Sequence, residues 1–276
     1  MDGRRVVPVL AAASVVFTAA LAGCGHDTTQ AGQGKASPSA PPPSLSSPSR
    51  TRESPAPEIL SPTGPATAPG RDSVANAQRV FTGAELKKAL LPDSTFGRHL
   101  ERGDEYTMAF ASNREQRREH WRYCLPGDAN PAWLGPATYR GTETAAHTLR
   151  VVGNEGEAVA VQHLVSLPVA SARDYMRLEQ DIRRHCRSFS SDMEAGTADE
   201  TYSVEPLRGL GDEAYLEIHE IEYEGSVRTE YAAHVRVGGV LVAVMSVAGT
   251  ADRDDTVRWT ARLAREVGTT LYGTGV

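Results

Sequence analysis

Glu217, His219, His234 and Arg236 are the residues of this chain whose types and spacing best fit chemistry. Residues two apart in a strand point to one face. A loop from Tyr223 to Ser226 matches the apolar faces of the two segments, with Ile218 opposite Tyr231, Leu216 opposite Ala233 and Ala214 opposite Val235. His219 then lies opposite Glu230, and Glu217, His219, His234 and Arg236 share the other face. Carboxylate, imidazole and guanidinium groups so placed fit a polar ligand site or a weak metal site. Solvated charges on an edge strand fit the same pattern. A second group surrounds Cys124, where Trp121, Tyr123, Trp133 and Tyr139 stand in a Pro/Gly-rich loop. These residues fit either an aromatic lip for a ligand or core packing around a cross-link. Gly209-Leu210-Gly211-Asp212-Glu213-Ala214 matches a G-x-G-x-x-A string but leads into a strand, whereas a dinucleotide fingerprint opens a helix. The chain has no Walker A loop, HExxH or G-x-S-x-G elbow, and its 8 histidines include no i, i+4 pair. The expectation is a non-catalytic chain without cofactor or metal.

The 3 cysteines carry the second kind of chemistry. Arg4-Arg5 precede an apolar run from Val6 to Leu21, and small residues Ala22-Gly23 precede Cys24. Charge and apolar run fit a secretory signal. Leu21-Ala22-Gly23-Cys24 also resembles the lipobox of bacterial lipoproteins. That resemblance implies cleavage before Cys24, diacylation of its thiol (palmitate among the acyl groups) and attachment to the cell membrane facing the extracellular or cell-wall side. Two acyl chains are what stable anchoring requires. An ordinary signal with an incidental cysteine, or an uncleaved signal anchor, remains open. With Cys24 acylated, Cys124 and Cys186 remain in an exported protein, where disulfides persist. Their bond would close a loop of about 60 residues and stabilise by roughly 4 kcal/mol; two buried thiols are the alternative.

The expected organisation is a signal peptide over 1–23, a disordered Pro/Ser-rich tether over 24–72 and a globular domain over 73–276. Ten of the chain's 17 prolines fall in the tether, which has little to bury against the entropy of ordering it. Beyond it, Thr82 with Glu85 forms a capping box and Phe81 can staple to Leu86, predicting a helix that runs to about Leu91 before Pro92. Tyr175, Leu178, Ile182, Cys186 and Phe189 recur at helical spacing, predicting a helix from Ser171 to near Ser188. The cluster Asp252 to Asp255 opens a last helix with Val257, Ala261, Ala264, Val267 and Leu271 on its buried side. Between the helices the period is two. Thr95–Phe110, Ala158–Leu167, Ala214–Glu222, Val227–Val237 and Val240–Val247 read as strands, and Gly238-Gly239 as a two-residue hairpin turn. Val240–Val247 is apolar on both parities, which predicts burial on both faces. The fold class is α+β, an antiparallel β-sheet packed with helices. A net charge of -6 excludes a basic nucleic-acid binder, which needs an excess of Lys and Arg.

The order of lipobox, Pro/Ser tether, Cys124, an amphipathic helix ending in Cys186, Gly209–Ala214 and Val235-Arg236-Val237-Gly238-Gly239-Val240 before a final helix is similar to one actinobacterial family. It resembles the extracellular sensor domain of PknH-type serine/threonine kinases, a domain that also occurs as free-standing lipoproteins. PsbP-like lipoproteins are the second resemblance. Members of the first family often carry two disulfides, whereas this chain has cysteines for one. The resemblance implies an antiparallel sheet backed by helices, with a cleft for an unidentified ligand, and supplies no catalytic residue. The expected partners are the lipid bilayer through acylated Cys24 and an unidentified small ligand. The alternative is a scaffolding lipoprotein that docks an envelope protein through its sheet face.

Overall fold

The computed structural model describes residues 58–273 apart from 99, 108, 126, 128–129, 136–137, 141–143, 152–157, 194–195 and 247–251. The expected signal peptide, Cys24 and the expected tether as far as residue 57 lie outside the described residues. Within them, eight strands build one antiparallel sheet: β1 (Leu100–Tyr106), β2 (Thr144–Val151), β3 (Ala158–Ser166), β4 (Ser188–Met193), β5 (Gly196–Pro206), β6 (Glu213–Tyr223), β7 (Ser226–Val237) and β8 (Val240–Ser246). Their spatial order is β1-β2-β3-β8-β7-β6-β5-β4. The helices are α1 (Gly83–Lys87), α2 (Arg114–His120), α3 (Val169–His185) and α4 (Arg253–Tyr272).

The central meander follows from turn chemistry and period. Glu224 and Gly225 both take positive φ, 49° and 76°, so a two-residue turn joins β6 to β7 with the twist that antiparallel strands need. Gly238 has φ 56°, and a Cβ there would fall 2.6 Å from the Tyr272 hydroxyl, so the β7–β8 turn admits only glycine without rearrangement. The register is the expected one: Ala214 pairs with Val235, Leu216 with Ala233, Ile218 with Tyr231 and His219 with Glu230. One face (Leu164, Leu216, Ala233, Val235, Val242 and Val244) packs on Val257, Trp259, Ala261, Leu263, Ala264 and Val267 of α4. Full burial contributes about 1.5–3 kcal/mol for each such Val or Leu. The other face (Val165, Tyr215, Leu241 and Ala243) meets Ala172, Tyr175 and Met176 of α3. β8 is therefore buried on both sides.

The helix-start signals are realised. Thr82 and Glu85 form the capping box of α1, and the Asp252 carboxylate accepts from the Asp255 amide at the start of α4. α1 stops at Lys87, short of Leu91, and α3 begins two residues before Ser171. The strand expected over 95–110 is interrupted, with a 3-10 turn at Asp93–Thr95 ahead of β1. α2, β2, β4 and β5 have no counterpart in the sequence reading. α2 (Arg-Glu-Gln-Arg-Arg-Glu-His) has no apolar stripe, and β4 and β5 are largely Ser, Thr, Asp and Glu.

The boundary expected at residue 73 is displaced toward the N-terminus. Glu58–Ile59 pairs with Gly97–Arg98, and Ala68–Pro69 pairs in parallel with Leu210–Gly211. Arg265 donates to the carbonyls of Pro65 and Thr67. Backbone pairing and arginine-to-carbonyl hydrogen bonds supply what apolar residues do not, so the last part of the expected tether is a strap on the domain.

Candidate functional site

The candidate site is a charged layer sealed between the sheet and α3. β6 is flanked by β5 and β7, so the polar face is interior and not an edge. That overturns the reading of Glu217, His219, His234 and Arg236 as solvated edge charges: their exposures are 3%, 4%, 2% and 3%. α3 reaches Glu217 through Arg183, because it carries charge beside its apolar stripe. Glu179 and Arg183 stand one turn apart, and Arg183 bonds the Glu179 carboxylate at 2.7 Å. Arg183 Nε also donates to Glu217, and His234 Nε2 lies 3.5 Å from the same Glu217 oxygen. Burial pushes the Glu217 carboxyl up, but the Arg183 guanidinium, with a smaller contribution from His234, outweighs it and holds it well below the usual carboxylate range.

A second node lies farther along β6. His219 Nε2 is 2.9 Å from Glu200 of β5, and its Nδ1 is 3.6 Å from Glu230 of β7. Ser191 donates to Glu200, and Arg228 to Glu230. Tyr202 stacks on His219 with ring centroids 4.1 Å apart, and Tyr215 stacks on His234 at 4.6 Å. Burial alone pulls an imidazole's pKa down, yet the two carboxylates raise that of His219. His163 of β3 is separated from His234 by Ala243 in the register. Burial, with a smaller contribution from His234, pushes its pKa down to about 3.

The expected residues are only partly brought together. Glu217 and His234 touch, and His219 belongs to the neighbouring node. Arg236 turns instead to Asp72 of the strap, with Nη1–Oδ1 at 2.6 Å and Nη2–Oδ2 at 3.0 Å. Trp121 is buried, edge-on to Tyr202 at 5.2 Å, with the Arg183 guanidinium 5.4 Å from its ring. Trp133 stacks on His185 at 4.8 Å. Both pack around the Cys124–Cys186 disulfide, which the structure contains. Trp121 is therefore core, and Trp133 and Tyr139 are partly buried against it.

Glu179, Arg183, Glu200 and His163 were missed by the sequence reading. The i, i+4 pair Glu179–Arg183 alongside the stripe Tyr175–Leu178–Ile182 was the signal available for the first two. Among the described residues no three His, Cys, Asp or Glu are disposed to hold a metal ion, and no helix is long and apolar enough to cross a membrane. An open depression on α2 is lined by Glu115, Arg118, Glu119, Arg122, Leu125 and Gly127. Chemically, the layer holds charges against each other rather than presenting them to solvent.

No protein-family model matches the chain, and no curated protein does. Among solved structures it is similar to the crystal structure of the extracellular domain of PknH from Mycobacterium tuberculosis. The identity is 15%, over 70% of this chain and 99% of that one, with a TM-score of 0.49.

Proposed function

We propose that this chain is a membrane-anchored, surface-exposed lipoprotein whose folded domain is a non-catalytic ligand-binding or sensor-type module. One observation carries the reading. A disulfide, Cys124–Cys186, lies in a chain that also carries the charged pair Arg4-Arg5, an apolar run and Leu21-Ala22-Gly23-Cys24. Disulfides persist outside the reducing cytoplasm, and an acylated Cys24 would hold the domain at the membrane's outer face. The charged layer supports the non-catalytic part. A general acid or base must reach a substrate proton, whereas Glu217, Arg183 and His219 are buried and engaged with one another's neighbours.

Cys24→Ala is expected to release the protein from membranes without altering the thermal midpoint of the domain. Partitioning after an alkaline carbonate wash reads the first property. Full retention in the washed membrane would sink the lipid anchor and put an uncleaved signal anchor in its place. Native mass spectrometry of the protein purified from its own envelope tests the ligand-binding half, where a small-molecule adduct surviving buffer exchange is expected. A bare mass, accompanied by a specific cross-linked envelope protein, would replace it with the docking role.

A further inference from the structure

Residues 68–72 are held on the domain as a peptide is held in a binding groove. Ala68 donates its amide to the Gly209 carbonyl at 3.1 Å, and Ala68–Pro69 lies parallel to Leu210–Gly211. Gly70 passes so close to Asp212 that a Cβ would fall 2.3 Å from its Oδ1. The Asp212 carboxylate accepts from the amides of Arg71 at 2.9 Å and Asp72 at 3.0 Å. Its other anchor is the Gly238 amide at 2.7 Å, which belongs to the rigid β7–β8 turn. The Asp72 side chain then meets two arginines: both Nη atoms of Arg236, and Arg173 of α3 at 3.0 Å.

Strand-like main-chain pairing, a position where a Cβ would crowd the anchoring carboxylate, and a bidentate arginine for one carboxylate are elements by which a protein selects a peptide. Arg236 is almost wholly buried, so the donating guanidinium belongs to the fold, while the accepting Asp72 carboxylate is partly exposed. The strap has few apolar contacts of its own, Ala68 being its one hydrophobic residue in the core. Segments of that kind open at lower free energy than the sheet beneath them.

We propose that the groove formed by Gly209–Asp212, Arg173 and Arg236 is a binding site for a peptide of the pattern Gly-x-Asp that enters as a strand and turns at its aspartate. In this chain Gly70-Arg71-Asp72 fills it from within, and a peptide of the same chemistry takes it when the strap lifts. The covalently attached strap competes at an effective concentration of about millimolar, so the site is masked until that competitor is weakened.

A fluorescent peptide spanning residues 64–76 tests the assignment by anisotropy against the full chain. Asp72→Ala in the chain is expected to strengthen peptide binding by about tenfold or more over wild type, because the inner competitor loses its carboxylate. The same peptide with its own Asp72→Ala change is expected to bind the variant chain at least about tenfold more weakly. Equal binding to both chains, or equal binding of both peptides, would overturn the proposal. Hydrogen exchange on the wild-type chain decides the matter should the variant not fold. The amides of Arg71 and Asp72 must exchange by an opening that leaves β7 protected; exchange only together with β7 would show that the strap is a fixed part of the domain.

Discussion

At the residue scale, the histidines of the charged layer set opposite pH dependences. His219 has a raised pKa in the fold, so the folded state holds a proton that the unfolded chain releases above about 6.5. Its contribution is complete below that value and is lost as pH rises through the folded pKa. His163 is the reverse case. Its folded pKa of about 3 means that the unfolded chain takes up a proton first as pH falls below about 6.5. Each histidine contributes a slope of up to about 1.4 kcal/mol per pH unit. His219→Gln is therefore expected to flatten the alkaline limb of a stability–pH curve, and His163→Gln the acid limb. Urea midpoints across pH 4 to 9 check this; His219→Gln leaving the alkaline limb unchanged would refute the carboxylate clamp. The buried pair gives a sharper expectation. Arg183→Met should cost about 3–5 kcal/mol by stranding Glu217 without its counter-charge, and adding Glu217→Leu should recover much of it. A double-mutant cycle reads the coupling, and additive losses would count against it.

At the element scale, the disulfide joins the end of α2 and the loop after it to the C-cap of α3. Cys186 caps α3, and its amide bonds the Ile182 carbonyl at 2.8 Å. The bond closes a loop with a sequence separation of 62 residues. By chain-entropy arithmetic that is worth roughly 4 kcal/mol, a large part of a typical 5–15 kcal/mol total. Cys124→Ala and Cys186→Ala are expected to lower the denaturation midpoint by similar amounts, and the double variant by little more, since one interaction is lost in each. The segment it pins includes Trp121, which shields Arg183. Loss of the bond should therefore also expose tryptophan, visible as a red-shifted emission at denaturant concentrations where the wild type is unchanged.

At the scale of the whole molecule, the strap decides where the folded part starts. Brief proteolysis is expected to remove residues before about Glu58 and to leave a fragment that retains the strap. Mass spectrometry of the fragment's N-terminus measures this. A stable fragment beginning near Ser73 would show that the ladder at Ala68–Pro69 and the Asp72–Arg236 pair do not hold in solution. Asp72→Asn should shift the cut toward that position, because it weakens the bidentate pair while leaving the sheet intact.

Local signals were enough for the meander. Alternation in Glu213–Ser246 and the turns at Glu224-Gly225 and Gly238-Gly239 set register and faces, since each depends on residues close in the chain. The capping box at Thr82 and the apolar stripes of α3 and α4 were legible for the same reason. Polar strands β4 and β5 were not, because their half-burial comes from neighbours they pair with rather than from their own pattern. Nor did the sequence reveal that Glu217 lies inside. That depends on Arg183, 34 residues away, arriving on a helix with the charge needed to make burial tolerable. Arg236 met Asp72 across 164 residues, through a segment whose composition reads as tether. What the sequence determined by itself was the set of elements with short-range period and turns. Which face was sealed and where the folded part starts were left to tertiary structure, because a charge can be buried only after its distant partner is in place.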